Sequence, residues 1–334
     1  MSIEVIRPGL QSSIQDLGRY GYQKHGVIVG GAMDTFSMRI ANILIGNDEG
    51  EAALEITIMG PALKFSEDKL IAITGGDLSP IVDGESIPMW RPVLIKRGSI
   101  LEFGACTQGC RAYLAVAGGF NVYEVMNSKS TYLRAGIGGF QGRAIAKGDI
   151  ITTNTISKKS SRLIKQLSMA STSKAFLTSS WFFGRNHLPQ EGKAVVIRVI
   201  RGIQFDYFSE ESIYNFFNRE FKVTIQSDRM GYRLSGELLR LKESLEMISE
   251  AVSLGTIQVP PDGSPIILLA DRQTVGGYPK IAQAANVDIA VIGQLKPESL
   301  IVFQEISLKE AEILYIEREQ LIQDVKAAVD GNLF

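Results

Sequence analysis

The sequence predicts a mainly β protein with a few helices, built as two related barrels or sandwiches in tandem. Three observations carry that prediction. Most apolar segments are short, β-branched and bounded by glycine, with 33 glycines against 11 prolines in 334 residues, a pattern of strands and tight turns. The chain also repeats its own vocabulary. "VIRPG" at 5–9 returns as "VIRG" at 199–202, "IQDLGRYGY" at 14–22 as "IQSDRMGY" at 225–232, and "LIKRGSILEF" at 94–103 as "QLKPESLIVF" at 294–303. Three matches in one order indicate duplication rather than chance. Finally, the strand–helix alternation that builds a parallel sheet is absent.

The expected organisation is a first β domain over 1–150, a polar connector over 151–194, a second β domain over 195–305 and a C-terminal helix over 306–334. In the first domain "KLIAITGG", "PIVDGESI" and "SILEFG" read as strands. Asp83-Gly84 reads as a hairpin turn, because both residue types accept positive φ. "DTFSMRIANILIGN" predicts the main helix there, with Asp34 capping free amides, Phe36, Ile40, Ile43 and Leu44 forming the apolar face, and Gly46 ending it. The connector, rich in Ser, Thr and Lys, has little strand periodicity and room for one short helix. In the second domain "SEESIYNFFNRE" predicts a helix capped by Ser209. From Ser307 the chain shows a capping box with Glu310, then apolar positions at Leu314, Leu321, Val325 and Ala328.

A formal charge of −1 lacks the clustered basic surface that nucleic acid requires. No apolar run reaches the ~20 residues that span a bilayer. The start, "MSIEVIRPGL", has no basic segment followed by an apolar one, so a cytoplasmic protein is expected. Cys106 and Cys110 lack further ligands at metal spacing. His25 and His187 are the two histidines, so reduced thiols and no metal site are expected. Neither histidine neighbours a nucleophile elbow, which argues against Ser-His-Asp catalysis. "AGIGGFQG" at 135–142 has Gln141 in place of the third glycine of a dinucleotide fingerprint and is expected to be a tight loop. "GGAMD" opens the Asp34-capped helix; its amides could receive an anion, or its glycines could merely allow a sharp entry.

The densest polar array lies in the second half. It comprises Gln226, Asp228, Arg229, Tyr232 and Arg233, then Glu250 and Gln258, then Asp271, Arg272, Gln273, Tyr278 and Lys280. Arginine holds carboxylates bidentately, amide side chains read carbonyl and N–H groups, and Asp, Tyr or Lys move protons. The array therefore suits a small polar substrate. It equally suits an Asp–Arg network that fixes loops.

Together, "IQDLGRYGYQ", "GGAMD", "LEITIMGP", "GCRAYLAVAGG", "QSDRMGYRL", "GTIQVPPDG" and "ADRQTVGGYPKIA" resemble the biotin-dependent carboxyltransferase family, over residues 3 to 305 or so. That family includes the carboxyltransferase region of urea amidolyase (allophanate hydrolase subunit 2) and the C subunit of bacterial 5-oxoprolinase, a group that contains the Kip antagonist. The resemblance implies two tandem cyclophilin-like β-barrel domains. It implies a protein that helps open 5-oxoproline to glutamate with ATP, in a complex with an A subunit and a B subunit similar to allophanate hydrolase subunit 1. It also implies site residues. Asp271, Lys280 and Asp228 are the catalytic candidates, with Asp271 or Lys280 in proton transfer. Arg272 or Arg229 is assigned to the substrate carboxylate, with Gln226, Gln273, Tyr232 and Tyr278 around it. Gln15, Asp16, Gly31 and Asp34 are assigned to a partner interface or an anion.

The chain departs from the family pattern at Gly202-Ile203-Gln204, where Gly-Pro-Gln is frequent; the expected consequence is for a turn more than for chemistry. It has no biotinyl-lysine motif, and "VMNSK" is a poor substitute, so any biotin must arrive on a separate carrier. It has no P-loop, so ATP is expected to bind a shared site in the complex. Two further functions stay open: a regulatory protein that binds the B-type inhibitor of a histidine kinase, and a carboxyltransferase acting on urea or a similar amide.

Overall fold

The computed structural model describes residues 2–169, 174–184, 188–190 and 192–331. It is mainly β, with five α-helices among the described residues. Contacts divide the chain into two compact units. The first comprises 1–19, 30–188 and 320–334; the second comprises 20–29 and 189–319. Neither is contiguous in sequence.

The first unit holds two six-stranded antiparallel sheets. The long strands Lys69–Asp77 and Gln108–Val116 pair at the centre of one sheet. Both are buried along nearly their whole length, so they read as continuous apolar runs rather than alternating ones. The Asp83-Gly84 hairpin forms as the sequence predicts, with φ of 49° and 86° between strands Ile81–Val82 and Glu85–Ser86. Helix Thr35–Leu44 is capped by Asp34, whose carboxylate accepts from the Ser37 amide at 2.9 Å, a cap worth about 1 kcal/mol. Phe36, Ile40, Ile43 and Leu44 are all buried.

The connector contains helix Lys158–Ser168, capped by Ser157. It also supplies an edge strand, Phe176–Thr178, paired with Pro92–Ile95. The Ser/Thr-rich composition concealed that strand, because pairing with a fully buried neighbour outweighs weak local propensity.

The second unit is a closed seven-stranded barrel. Around it run Val195–Arg201, Lys280–Ala284, Thr256–Gln258, Ile266–Leu268, Gly231–Ser235, Phe221–Val223 and Leu300–Glu305. Closure leaves no free sheet edge. Helix Glu210–Asn218, capped by Ser209, lays Phe216 against the barrel; its ring stacks on Phe303 with centroids 4.4 Å apart and lies 6.3 Å from Phe221. Such a pair adds about 0.5–1.5 kcal/mol beyond area burial.

The duplication is visible in hydrogen bonding. In the first unit Leu63 and Lys64 face Leu101 and Ile100; in the second, Phe221 and Lys222 face Ile301 and Leu300. Before each of these later strands the chain makes the same turn. Gly98 donates to Phe65 at 2.8 Å and Glu298 donates to Val223 at 2.9 Å. Glu298 even keeps the left-handed backbone of its counterpart, at φ 73° against 86°.

The "IQ" letters shared by the two copies are not equivalent. Ile14 is fully buried at the end of a strand, whereas Ile225 is 82% exposed in a loop before one. What the two copies share is an Asp whose carboxylate accepts from the amide two residues on, Gly18 and Met230, each at 2.8 Å. Each copy also carries a buried arginine, Arg19 and Arg229.

The C-terminal helix Leu308–Gly331 has the predicted capping box, with Ser307 and Glu310 bonded reciprocally. Its buried side differs from the predicted one. Ile322 and Val329, seven residues apart, are buried, Leu314 and Val325 are half-buried, and Leu321 and Ala328 are exposed. Its apolar residues lie on more than one face, so periodicity alone does not select the packed stripe.

Candidate functional site

The barrel unit gathers charged and amide side chains where strands Thr256–Gln258 and Lys280–Ala284 pair. Gln258 and Lys280 stand opposite one another in that ladder, past a register shift after Ile257. Opposed residues share a sheet face, and both are buried. Lys280 Nζ donates to Glu250 Oε2 at 2.7 Å. The Lys280 ammonium holds the Glu250 carboxyl below its usual range, and Gln204 adds a further hydrogen bond. Gln204 Oε1 also accepts from the Lys280 backbone amide at 3.1 Å. Glu250 itself sits on the two-stranded ribbon Glu250–Ala251 with Val275–Gly276.

Gly202 brings the Gln204 segment against this strand. Its amide donates to Ile281 O at 2.9 Å, and a Cβ there would lie 2.2 Å from Lys280 O. The Gly202-Ile203-Gln204 variation therefore lies against the strand that carries Lys280.

Arg272 follows the strand Ile266–Leu268 by a short turn. Its Nε and Nη1 make only long contacts, 3.4 Å each, to the carbonyls of Val252 and Leu269. No carboxylate among the described residues pairs with it. Burial pulls its guanidinium below the ordinary range, opposed by the Tyr20 phenol, but an arginine stays charged at neutral pH. Tyr20 comes from the "IQDLGRYGY" motif, within the segment 20–29 that belongs to the barrel unit.

Arg229 and Asp271 behave differently from the expectation. Arg229 Nε and Nη2 donate to the two Asp271 oxygens, 3.0 Å each, and both side chains are buried. The Asp271 amide also donates to Arg229 O at 2.8 Å. With both oxygens occupied, Asp271 is not a free base, and its partner arginine is not open to a substrate carboxylate. The two residues thus form a buried bidentate ion pair.

Asp228 accepts from the Met230 and Gly231 amides and shapes the turn before the strand. Tyr232 is buried, with its hydroxyl donating to Leu295 O at 3.1 Å, which occupies it in the barrel wall. Gln226, Gln273 and Tyr278 are exposed. Gln273 and Tyr278 flank the ribbon strand that pairs with Glu250; Gln226 lies in the exposed loop before Asp228.

In the first unit Asp16 accepts from Gly18 N, Ser128 Oγ, Lys129 N and Ser130 Oγ, a hub that ties these loop segments together. Gln15 is fully buried and donates to Ser13 and Thr131. Gly31, at φ +90°, lies where a Cβ would press on the Leu17–Gly18 backbone. The amides ahead of helix Thr35–Leu44 are already engaged. Met33 N donates to Glu55, Asp34 N is bonded to Tyr113, and Ser37 N donates to Asp34. Buried between carboxylates, this helix start does not offer the anion site that was one of its two readings, and burial pushes the Tyr113 phenol well above its usual value.

The glycines of 135–142 serve close packing. A Cβ at Gly138 would meet Ser130 O at 2.1 Å and one at Gly142 would meet Gly136 O at 1.9 Å. Cys106 and Cys110 are free thiols. His25 is exposed, and His187 lies outside the described residues.

Sequence reasoning missed Gln204 as a site residue and left Glu250 and Gln258 without roles. Their connections to Lys280 arise from strand register, and no local motif marks them.

Fold and site together define a tandem β-domain protein with an arginine and a lysine presented from one barrel. The chain belongs to the carboxyltransferase family: the family described as "Carboxyltransferase domain, subdomain A and B" matches residues 25–305. It is 35% identical over 328 residues to the 5-oxoprolinase C subunit of Haemophilus influenzae, covering 98% of this chain and 99% of that one. With the Escherichia coli protein of the same name it is 35% identical over 312 residues, covering 92% and 93%. It is 33% identical to the urea amidolyase of Saccharomyces cerevisiae over 97% of this chain but 18% of that one. Among solved structures, the Kluyveromyces lactis urea carboxylase matches with a TM-score of 0.84 and 33% identity, over 97% of this chain and 29% of that one. Among the described residues no helix is long and apolar enough to cross a membrane.

Proposed function

We propose that this chain is the C subunit of an ATP-dependent 5-oxoprolinase, acting with A-type and B-type partners to open 5-oxoproline to glutamate. The observation that carries this reading is the end-to-end similarity to proteins named as the C subunit of 5-oxoprolinase, which match this chain in length. The matched part is only 18% of the urea amidolyase relative, so the whole activity of that protein needs regions beyond this segment.

A lactam is a poor electrophile. Phosphoryl transfer from ATP to the ring carbonyl oxygen makes its carbon open to water. The C–N bond then breaks, the nitrogen takes a proton, and a second water splits the resulting acyl phosphate into carboxylate and phosphate. In this reading Arg272 holds the substrate carboxylate, since it is a half-buried cation with no paired carboxylate among the described residues. Lys280, oriented by Glu250 and Gln204, delivers the proton to the ring nitrogen. ATP binds in the assembled complex.

The chain carries no biotinyl-lysine motif, and Lys129 of "VMNSK" pairs with Glu51 at 2.6 Å; in this reading no step is routed through biotin. A second reading, carboxyl transfer to urea or a similar amide with biotin on a separate carrier, draws on the urea amidolyase and urea carboxylase relatives.

The test is co-expression with A-type and B-type homologues and an assay of glutamate release from 5-oxoproline. ATP-dependent release that requires this chain is the expected result. A stable complex of this chain with the B-type protein, but no release from the full mixture, would overturn the enzymatic reading in favour of regulation.

A further inference from the structure

We infer that Gln258 is the residue that recognises the N–H of the ring amide, through its side-chain oxygen; this rests on the 5-oxoprolinase reading above. Gln258 is 8% exposed, yet its Oε1 is a buried atom with no hydrogen-bond partner among the described residues. A buried acceptor left unmade is costly, and native proteins keep such atoms chiefly where something else completes them. Gly276 approaches this oxygen closely. A Cβ on Gly276 would stand 3.0 Å from Gln258 Oε1 and 3.1 Å from Val252 Cγ1, so a larger residue would crowd that oxygen.

The neighbours of the oxygen give the ligand its chemistry. Lys280 stands opposite Gln258 in the ladder and reaches Glu250, which pairs across the ribbon with Gly276. Arg272 contacts the carbonyl of Val252, whose side chain lies beside Gly276. Linked through Glu250, Val252 and Gly276 are thus an acceptor, an ammonium donor and a guanidinium. A cyclic amide acid presents the complementary set: one N–H, one carbonyl and one carboxylate. Both cations are donors only, so the Gln258 oxygen is the group among these three that can accept the amide N–H. A site built around such an acceptor rejects an analogue that lacks the N–H, because binding that analogue leaves the oxygen buried and unpaired.

The test uses the reconstituted complex and two ligands: 5-oxoproline, and the cyclopentanone carboxylate of the same shape in which a methylene replaces the N–H. The wild-type complex should prefer the lactam over the ketone by about 10- to 100-fold, read as KM against the inhibition constant. Gln258→Met, which keeps length but removes the acceptor, should bring the two constants to within a few-fold. Gln258→Glu, which keeps an acceptor oxygen, should retain the preference. Thermal unfolding of each variant reports whether the barrel is intact. An unchanged preference in Gln258→Met, or equal weakening of both ligands in both variants, would overturn the assignment while leaving 5-oxoproline turnover standing. A wild-type complex that fails to open 5-oxoproline would overturn the parent reading and this inference with it.

Discussion

Replacing Asp271 by alanine is expected to destabilise the barrel unit by about 3–5 kcal/mol, the cost of removing one partner from a buried ion pair. The pair is bidentate, with both Asp271 oxygens accepting from Arg229. The two residues also share a backbone bond from the Asp271 amide to Arg229 O. Alanine keeps that backbone bond and leaves the guanidinium buried without its carboxylate. Urea unfolding followed by far-UV circular dichroism measures the loss. A change under about 1 kcal/mol would place this pair with surface ion pairs and contradict its loop-fixing role. Replacing both residues by apolar ones should recover much of the loss, since the penalty comes from the stranded charge.

Gly202→Ala is expected to act on both stability and turnover. The new methyl would stand 2.2 Å from Lys280 O and 2.7 Å from its carbonyl carbon, and neither atom belongs to a flexible side chain. The strand and the 202–204 segment must part, which costs about 1–3 kcal/mol as an overpacked contact. Separation also pulls Gln204 away from the Lys280 amide and loosens the hold on Glu250. If Lys280 delivers a proton, a shift near 1 Å lowers turnover on the order of 100-fold. Measuring kcat/KM of the reconstituted complex beside the unfolding midpoint separates the two effects. Full turnover in a folded variant would show that the approach of this segment to Lys280 has no part in the reaction.

Local signals were the legible part of the fold. Asp34, Ser209 and the Ser307–Glu310 box each bond to amides within three residues, and Asp83-Gly84 turns on two residues with positive φ. Such features need no knowledge of the rest of the chain. The duplication was legible too, although letters misled in detail: Ile14 and Ile225 match by name and lie in opposite environments. Glu298, at the position of Gly98, carries the same turn under a residue that sequence alone would not put there.

The site was harder to read because its connections cross long stretches. Gln204 meets Lys280 over 76 residues and Glu250 meets Lys280 over 30, joined by ladder register. Composition correctly drew attention to Asp271 and Arg272 as neighbours but could not tell which was engaged. A carboxylate committed to Arg229 and a guanidinium with no paired carboxylate among the described residues sit on consecutive residues, and only the folded geometry distinguishes them. The edge strand Phe176–Thr178 was hidden for a related reason, since its partner lies in Pro92–Ile95.

The central claim is that Arg272 anchors the carboxylate of 5-oxoproline in a complex that this chain completes. The measurement that tests it most directly is kcat/KM for ATP-dependent glutamate formation by the three-component mixture, with wild-type chain and with Arg272→Ala. The expected result is a fall of roughly 100-fold, from the loss of a charge-assisted contact, with complex formation and unfolding unchanged. Equal kcat/KM in the two mixtures would contradict it.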